Sequence, residues 1–460
     1  MQFNEPTFLL LFLPVLLAVY YALPFARQYL LLAASLLFCF WGGKETSFTL
    51  LAALVVNYAL GLVVVRRRAV LVAGIVANLT LLLWCKYAAF LGLPLPKLAS
   101  PPGLSFFTFV AIAYLVDVYR GEAEPIGCPV KAGNYFLFFS RLWAGPIVRL
   151  GGGVAAGRPL PHPLLMPMPG RELFAEGVRR FIIGLGKKVL IANTVAVVAD
   201  KVFALPVTSL RPELAWLGVV SYTVQIYFDF AGYTDMAIGL GLMFGYRFPE
   251  NFNYPYAATS IRDFWRRWHM TLSGWLRDYL YIPLGGSRCA PWRAYLNLLV
   301  VFTLCGLWHG AAWTFVVWGL IQGVFLLAER ATGNKDLPPV AGHTYALLVT
   351  LVSWVFFRAT SLGHAAGILS AMVGLNQPIG VADGLTAFVD PFALTMLVAG
   401  IIGAFPVFGG LRFRVAAGEE PTAWARRSAP LREVGYIAVL LAVMVMVAVK
   451  TFTPFIYQQF

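Results

Sequence analysis

Residues 294–328 read AYLNLLVVFTLCGLWHGAAWTFVVWGLIQGVFLLA. The run holds no Asp, Glu, Lys or Arg and a single imidazole, His309. A helix of about 20 apolar residues crosses the hydrocarbon core of a bilayer. This run is therefore long enough for one tilted span or for a broken pair. An ionisable residue at membrane depth is costly, and its default reading is functional. Gly306, Gly310, Ala311 and Ala312 surround His309 with small side chains, which let another backbone or a substrate come close. The competing reading of His309 is a structural imidazole, hydrogen-bonded across helices.

Outward from this run the pattern repeats. Apolar stretches lie at 7–23, 29–43, 48–65, 69–85, 214–228, 389–408 and 434–449. The chain of 460 residues is 60% hydrophobic and 12% charged. A soluble domain carries roughly 25% charged residues, so this chain has too little polar surface for water and enough apolar surface for lipid. The expectation is an all-α polytopic membrane protein with about 10–12 membrane-embedded segments, built as one membrane domain over residues 1–460. A net charge of +14 fits basic loops on the cytoplasmic side of a membrane. It does not call for nucleic acid, which needs an exposed basic face.

The first residues, Met1 to Glu5, carry no basic segment of the kind that opens a cleaved signal peptide, so 7–23 reads as a retained span. Arg66, Arg67 and Arg68 mark a cytoplasmic loop. Counting back from them places Arg27 inside and the N-terminus outside. The Gly- and Pro-rich stretch 149–171 reads as an extramembrane loop. The basic stretch Arg171 to Lys188 reads as a helix lying at, or entering, the cytoplasmic interface. Five cysteines without C-x-x-C spacing support neither a disulfide framework nor a zinc site. Membrane lipids are the first expected partner, and no bound cofactor or metal is expected.

Residues 247–293 interrupt the apolar pattern with arginines, tryptophans and prolines. Within them, 261–280 can be laid on one helix at 100° per residue. Arg262, Arg266, His269, Ser273 and Arg277 then share one face, and Phe264, Trp265, Trp268, Leu272 and Trp275 an adjoining one. One reading is an interfacial helix whose arginines meet lipid phosphates. The other is a cationic wall for a phosphate-bearing acyl carrier, since the planar fork of Arg suits phosphate. Gly274 is the weak point of such a helix. Asp229 and Asp235, beside Tyr222, Gln225 and Tyr233, read first as partners of arginines or as caps of a broken helix, with ligands and proton carriers as the other readings. Asn253, Pro255 and Tyr256 read as a turn that leads into the amphipathic segment.

Three pieces carry a family likeness: Gln225–Phe252 (QIYFDFAGYTDMAIGLGLMFGYRFPENF), Phe264–Gly286 (FWRRWHMTLSGWLRDYLYIPLGG) and Gly306–Gly319 (GLWHGAAWTFVVWG), with Ala144–Arg149 (AGPIVR) as a weaker fourth. In this order they resemble the membrane-bound O-acyltransferase family, in its bacterial alginate O-acetyltransferase branch, with 225–330 as the signature region. The resemblance implies a ring of membrane helices around a thinned centre with a tunnel. It puts the family's intramembrane catalytic histidine at His309, and its second signature position, His or Asn, at His269. It also implies transfer of an acetyl group from a thioester, acetyl-CoA, to a hydroxyl of an extracytoplasmic polysaccharide such as alginate. An extracytoplasmic acetyltransferase partner protein and a place in the bacterial inner membrane go with it.

The mechanism expected from the residues and the resemblance together has His309 as base on the hydroxyl and His269 orienting the donor or sharing proton transfer. Arg262, Arg266, Ser273, Trp265 and Trp308 would hold the donor. Two alternatives from other classes are a transporter or flippase for a lipid-linked sugar and a scaffold of a polysaccharide-export complex. A transporter usually shows repeat-related broken helices, and the sequence has no internal repeat.

Overall fold

The computed structural model describes residues 1–96, 98–151, 154–155, 158–159, 167–333, 337–376, 384–407, 429–449 and 455–456. Helices dominate them. In chain order they are α1 Leu13–Ala22, α2 Arg27–Trp41, α3 Lys44–Val63, α4 Arg68–Tyr87, α5 Leu104–Arg120, α6 Pro129–Leu137, α7 Arg171–Gly186, α8 Asn193–Phe203, α9 Pro212–Met243, α10 Ile261–Arg267, α11 Met270–Trp275, α12 Pro291–His309, α13 Trp313–Ala331, α14 Pro339–Arg358, α15 Leu362–Met372, α16 Leu385–Phe388, α17 Pro391–Gly403 and α18 Ala429–Val449. Seven helices among the described residues are long and apolar enough to cross a membrane. The loop expected at 149–171 contributes one short antiparallel pairing, Val154–Ala155 with Arg158–Pro159; the rest of 152–166 lies outside the described residues.

The centre of the molecule is α9, buried along nearly its whole length and packed by α7, α8, α14 and α15. Its contact with α7 is made by glycines in antiparallel register. A Cβ on Gly177 would stand 2.5 Å from the Gly239 carbonyl oxygen, and one on Gly184 2.7 Å from that of Gly232. Backbones that close leave no room for side chains between them, which is how small residues bring membrane helices together. The acids of α9 are paired across this seam. Lys188 Nζ lies 2.5 Å from Asp229, while Arg180 and Lys187 hold Asp235 at 2.7 and 2.6 Å. Asp235 has the arginine partner expected of it, with a lysine added; the partner of Asp229 is a lysine instead.

Of the two readings of the basic stretch 171–188, the contacts favour a helix that enters the membrane. It continues through a π-turn at Lys187–Ala192 into α8, forming a helical stretch over 171–203 long enough to span. Arg180, Lys187 and Lys188 point at acids of α9 and at Glu250, because a buried carboxylate is tolerated only when paired, while Arg179 pairs with Glu433.

Candidate active site

The 294–328 run is a broken pair. α12 ends on His309, residues 310–312 are extended at Gly310 (φ −165°, ψ 149°) and Ala312 (φ −147°, ψ 151°), and α13 starts at Trp313. The break lets α13 fold back on α12 through glycine. A Cβ on Gly306 would collide with the Phe315 carbonyl, one on Gly319 with the Phe302 carbonyl, and one on Gly310 with the Phe315 ring. The small residues around His309 therefore do not leave a gap beside it, as their size suggested. Their space is taken by the backbone and the Phe315 side chain of α13, because close helix packing is the use made of them. His309 is 3% exposed, ringed by Trp308, Trp318 and Phe357 at centroid distances of 4.8, 5.1 and 5.1 Å.

The end of α12 is tied down from a distant helix. Lys86, in the last turn of α4, donates to the carbonyls of Trp308 (2.5 Å) and His309 (3.1 Å). The hydroxyl of neighbouring Tyr87 donates to the carbonyl of Leu307. The last carbonyls of a helix have no partner within it, and a cation there also meets the negative end of the helix dipole.

His269 sits at a second break. The amphipathic segment is not one helix: α10 ends at Arg267, and His269 takes a left-handed conformation (φ 41°, ψ 55°) before α11 begins. Such a backbone costs a non-glycine residue about 1–3 kcal/mol and is kept where the surroundings enforce it. Here Asn251 enforces it. Its main-chain carbonyl accepts from Met270 N–H at 2.9 Å, and its side-chain oxygen accepts from Thr271 N–H (3.2 Å) and Thr271 Oγ1 (2.9 Å). His269 Nδ1 lies 3.1 Å from the same oxygen.

This arrangement assigns the tautomer. A backbone N–H can only donate, so the Asn251 atom it meets is the carbonyl oxygen, and His269 Nδ1 must donate to it. In the neutral ring Nε2 then carries the lone pair. Nε2 has no hydrogen-bond partner among the described residues, and neither does Asn251 Nδ2. His269 is fully buried.

Trp308 joins the two breaks. Its ring centroid lies 6.3 Å from that of His269 and 4.8 Å from that of His309. Its Nε1 is buried without a hydrogen-bond partner among the described residues. One buried cluster thus holds an acceptor, a donor and a second imidazole. No group of three or more potential metal ligands exists among the described residues.

The model of the membrane-bound O-acyltransferase family matches residues 129–359. A probable alginate O-acetylase of Azotobacter vinelandii is 41% identical, over 82% of this chain and 79% of its own. One from Pseudomonas aeruginosa is 42% identical, over 81% and 75%. A peptidoglycan O-acetyltransferase of Helicobacter pylori is 37% identical, over 81% and 80%. The chain belongs to the membrane-bound O-acyltransferase family. It is a multi-pass membrane enzyme, and its membership decides for acyl transfer over the transporter and scaffold alternatives.

The remaining candidates of this acyltransferase separate. The break at His269 dissolves the shared face read from a continuous helix, since a single left-handed residue resets the direction of everything after it. Arg266 and Arg277 are exposed while His269 is buried. Arg262 is half-buried, and its N–H and that of Ile261 donate to Glu329, 3.0 and 2.5 Å away. The indole of Trp265 donates to Gln322 on α13 at 3.0 Å, which makes it a tie between helices. Ser273 Oγ donates to the Trp268 carbonyl at 3.3 Å. Arg277 binds Asp278 at 2.6 Å. Burial pushes that carboxyl up, but its hydrogen bonds to Arg277 and Arg149 outweigh this and hold it below the usual carboxylate range. Of the five donor candidates, Trp308 alone is brought against both histidines.

Sequence reading missed Lys86, Asn251 and Thr271. Lys86 had a signal: a cation closing an apolar span. Asn251, between Glu250 and Phe252, had none of its own.

Proposed function

We propose that the enzyme moves an acetyl group from a cytoplasmic thioester, acetyl-CoA, to a hydroxyl, and so serves O-acetylation of an extracytoplasmic polysaccharide such as alginate. An extracytoplasmic acetyltransferase receives the group or works beside the enzyme, which resides in the bacterial inner membrane with its N-terminus outside. The names of the relatives support the acetyl group and the polysaccharide.

The observation that carries the mechanism is the pairing of two buried imidazoles on the one Trp308 ring. His309 takes the proton of the acceptor hydroxyl as its oxygen attacks the thioester carbonyl carbon. The C–S bond breaks, and the proton passes from the imidazolium to the leaving thiolate. His269, its Nδ1–H held by Asn251, offers a lone pair at Nε2 that shares this proton transfer. The Trp308 indole N–H, buried without a hydrogen-bond partner among the described residues, donates to the carbonyl oxygen as negative charge builds on it. Such preorganised donors act strongly in a dry site. Arg262 and Arg266, at the more exposed side of α10, meet the donor's phosphates, with Ser273 beside them. Trp265 acts from behind by anchoring α10 to α13.

The test is purified enzyme in detergent given radiolabelled acetyl-CoA and a soluble hydroxyl acceptor. Label should pass to the acceptor with wild type and not with His309→Ala. Transfer that survives in a folded His309→Ala variant removes His309 from the mechanism.

A further inference from the structure

Glu250 stands directly before Asn251, the residue that holds His269, and has no place in the mechanism above. Residues 246–252 form neither helix nor strand, so no backbone ladder fixes where Asn251 lies. On one side this stretch borders a cavity of about 440 Å³, lined by Glu250, Phe252, Asn253 and Tyr254 and, across from them, by Arg180 and Asp235. Close packing, which holds most buried segments in place, is missing on that side.

A guanidinium spans the gap. Arg180 Nη1 and Nη2 donate to Glu250 Oε1 and Oε2 at 3.0 and 2.6 Å, a two-point contact that fixes orientation as well as distance. Nε of the same side chain donates to Asp235 on α9 at 2.9 Å, and Lys187 donates to the other oxygen of that carboxylate at 2.6 Å. The tether therefore ends in the α7–α9 seam, where glycines bring the two backbones into contact.

At its other end the stretch grips the left-handed turn from both sides. Before the turn, Asn253 N–H donates to the Arg267 carbonyl at 2.9 Å; after it, Met270 N–H donates to the Asn251 carbonyl at 2.9 Å. A shift of 250–253 would carry the turn with it and move the Asn251 side-chain oxygen off His269 Nδ1. The Glu250 side chain is 52% exposed. An ion pair so open to water adds little to stability, so its effect lies in what it orients.

We propose that Arg180 and Glu250 are positioning residues for His269, acting through Asn251 to hold the imidazole in one tautomer. The effect on rate rests on the reading of His269 as a partner in proton transfer; the effect on the ring does not.

The experiment uses the purified enzyme in detergent with two readouts: acetyl transfer from radiolabelled acetyl-CoA, and the ring nitrogens of ¹⁵N-labelled histidine by NMR, with the His269 signals assigned by their loss in His269→Ala. Glu250→Gln keeps the shape and removes the charge. Its turnover number should fall about 5-fold, the worth of a half-exposed ion pair, with KM little changed. The two ring nitrogens of His269, distinct in wild type, should move toward each other as they exchange roles. Arg180→Lys, which keeps a charge beside Asp235 and loses the fork, should do the same. In an Asn251→Ala background Glu250→Gln should cost nothing further, since residues that act through one another are not additive. Arg179→Gln, which breaks the neighbouring pair with Glu433 at 2.8 Å, should move neither readout. His269 signals unchanged in Glu250→Gln and Arg180→Lys would overturn the inference. So would a Glu250→Gln loss that persists in full without Asn251, or the same ring change in Arg179→Gln. A ring that changes while turnover does not would leave the inference standing and remove His269 from acetyl transfer.

Discussion

The seam between α7 and α9 and the pocket around Trp308 both bury polar groups, and they treat them in opposite ways. At the seam, Asp229 and Asp235 each have a cation within 2.7 Å. At the pocket, His269 Nε2, Trp308 Nε1 and Asn251 Nδ2 are buried with no hydrogen-bond partner among the described residues. Burying a polar atom without a partner costs about 1–3 kcal/mol, so a fold keeps such atoms only where something else needs them. On the proposed function, the seam serves stability and the cluster around Trp308 serves the ligand. Removing a seam group should therefore cost stability, and removing a pocket group should cost turnover.

The largest effect expected is at the histidines. His309→Ala and His269→Ala should lower acetyl transfer by roughly 10²–10⁴-fold, the range for a general base, while the thermal midpoint in detergent stays close to wild type. Turnover assays beside unfolding curves separate the two. If either variant loses stability in proportion to activity, the contrast with the seam fails.

The next effect belongs to the seam. Asp229→Asn removes the carboxylate charge that faces Lys188, whose side chain is 1% exposed, and loss of one partner of a buried pair costs about 3–5 kcal/mol. The variant should unfold earlier yet keep its turnover per folded molecule. Adding Lys188→Met should recover most of the loss, since an apolar pair of similar size is often as stable as the ion pair. A double variant no better than the single one would show that the pairing does not explain the burial.

How much of this contrast could be read from sequence differs between the two regions. The break in 294–328 was one of two readings of its length, and arginine partners were the first reading of Asp229 and Asp235, met at Asp235 while Asp229 takes a lysine. The break at His269 could not be read. A helical projection assumes every residue is right-handed, and Gly274, the one residue that signalled a bend, lies inside α11. The left-handed turn at His269 is imposed by Asn251, 18 residues earlier, and such a contact has no local pattern. The glycines around His309 show the same limit. Their small size was legible, but whether a substrate or the Phe315 backbone would use the space depended on where α13 returns.

Asn251 tests whether the pocket extends beyond the groups that touch substrate. Asn251→Ala removes the acceptor that fixes the His269 tautomer. Misplacing a catalytic imidazole's tautomer can cost up to about 10⁴-fold in rate; with His309 intact, about 10²-fold is expected. The loss should appear in the rate constant more than in KM and should alter the pH–rate profile, because Nδ1 is freed to exchange roles with Nε2. A variant that merely unfolds would lower the amount of active enzyme and leave the profile unchanged.

The smallest effect expected is at Lys86, which belongs to neither region but joins α4 to the last carbonyls of α12. Lys86→Met keeps the length of the side chain and removes the donor and the charge. A cation at a helix C-terminus contributes about 0.3–1 kcal/mol, rising to about 2 kcal/mol where partly buried. Unfolding curves should show a loss of that order. Because those carbonyls belong to Trp308 and His309 themselves, turnover should fall several-fold as well. The histidine and Asp229 variants are each expected to move one readout; Lys86→Met is expected to move both. If it moves stability alone, the end of α12 is held well enough by Tyr87 and by the glycine contacts with α13, and the position of His309 does not depend on the far helix.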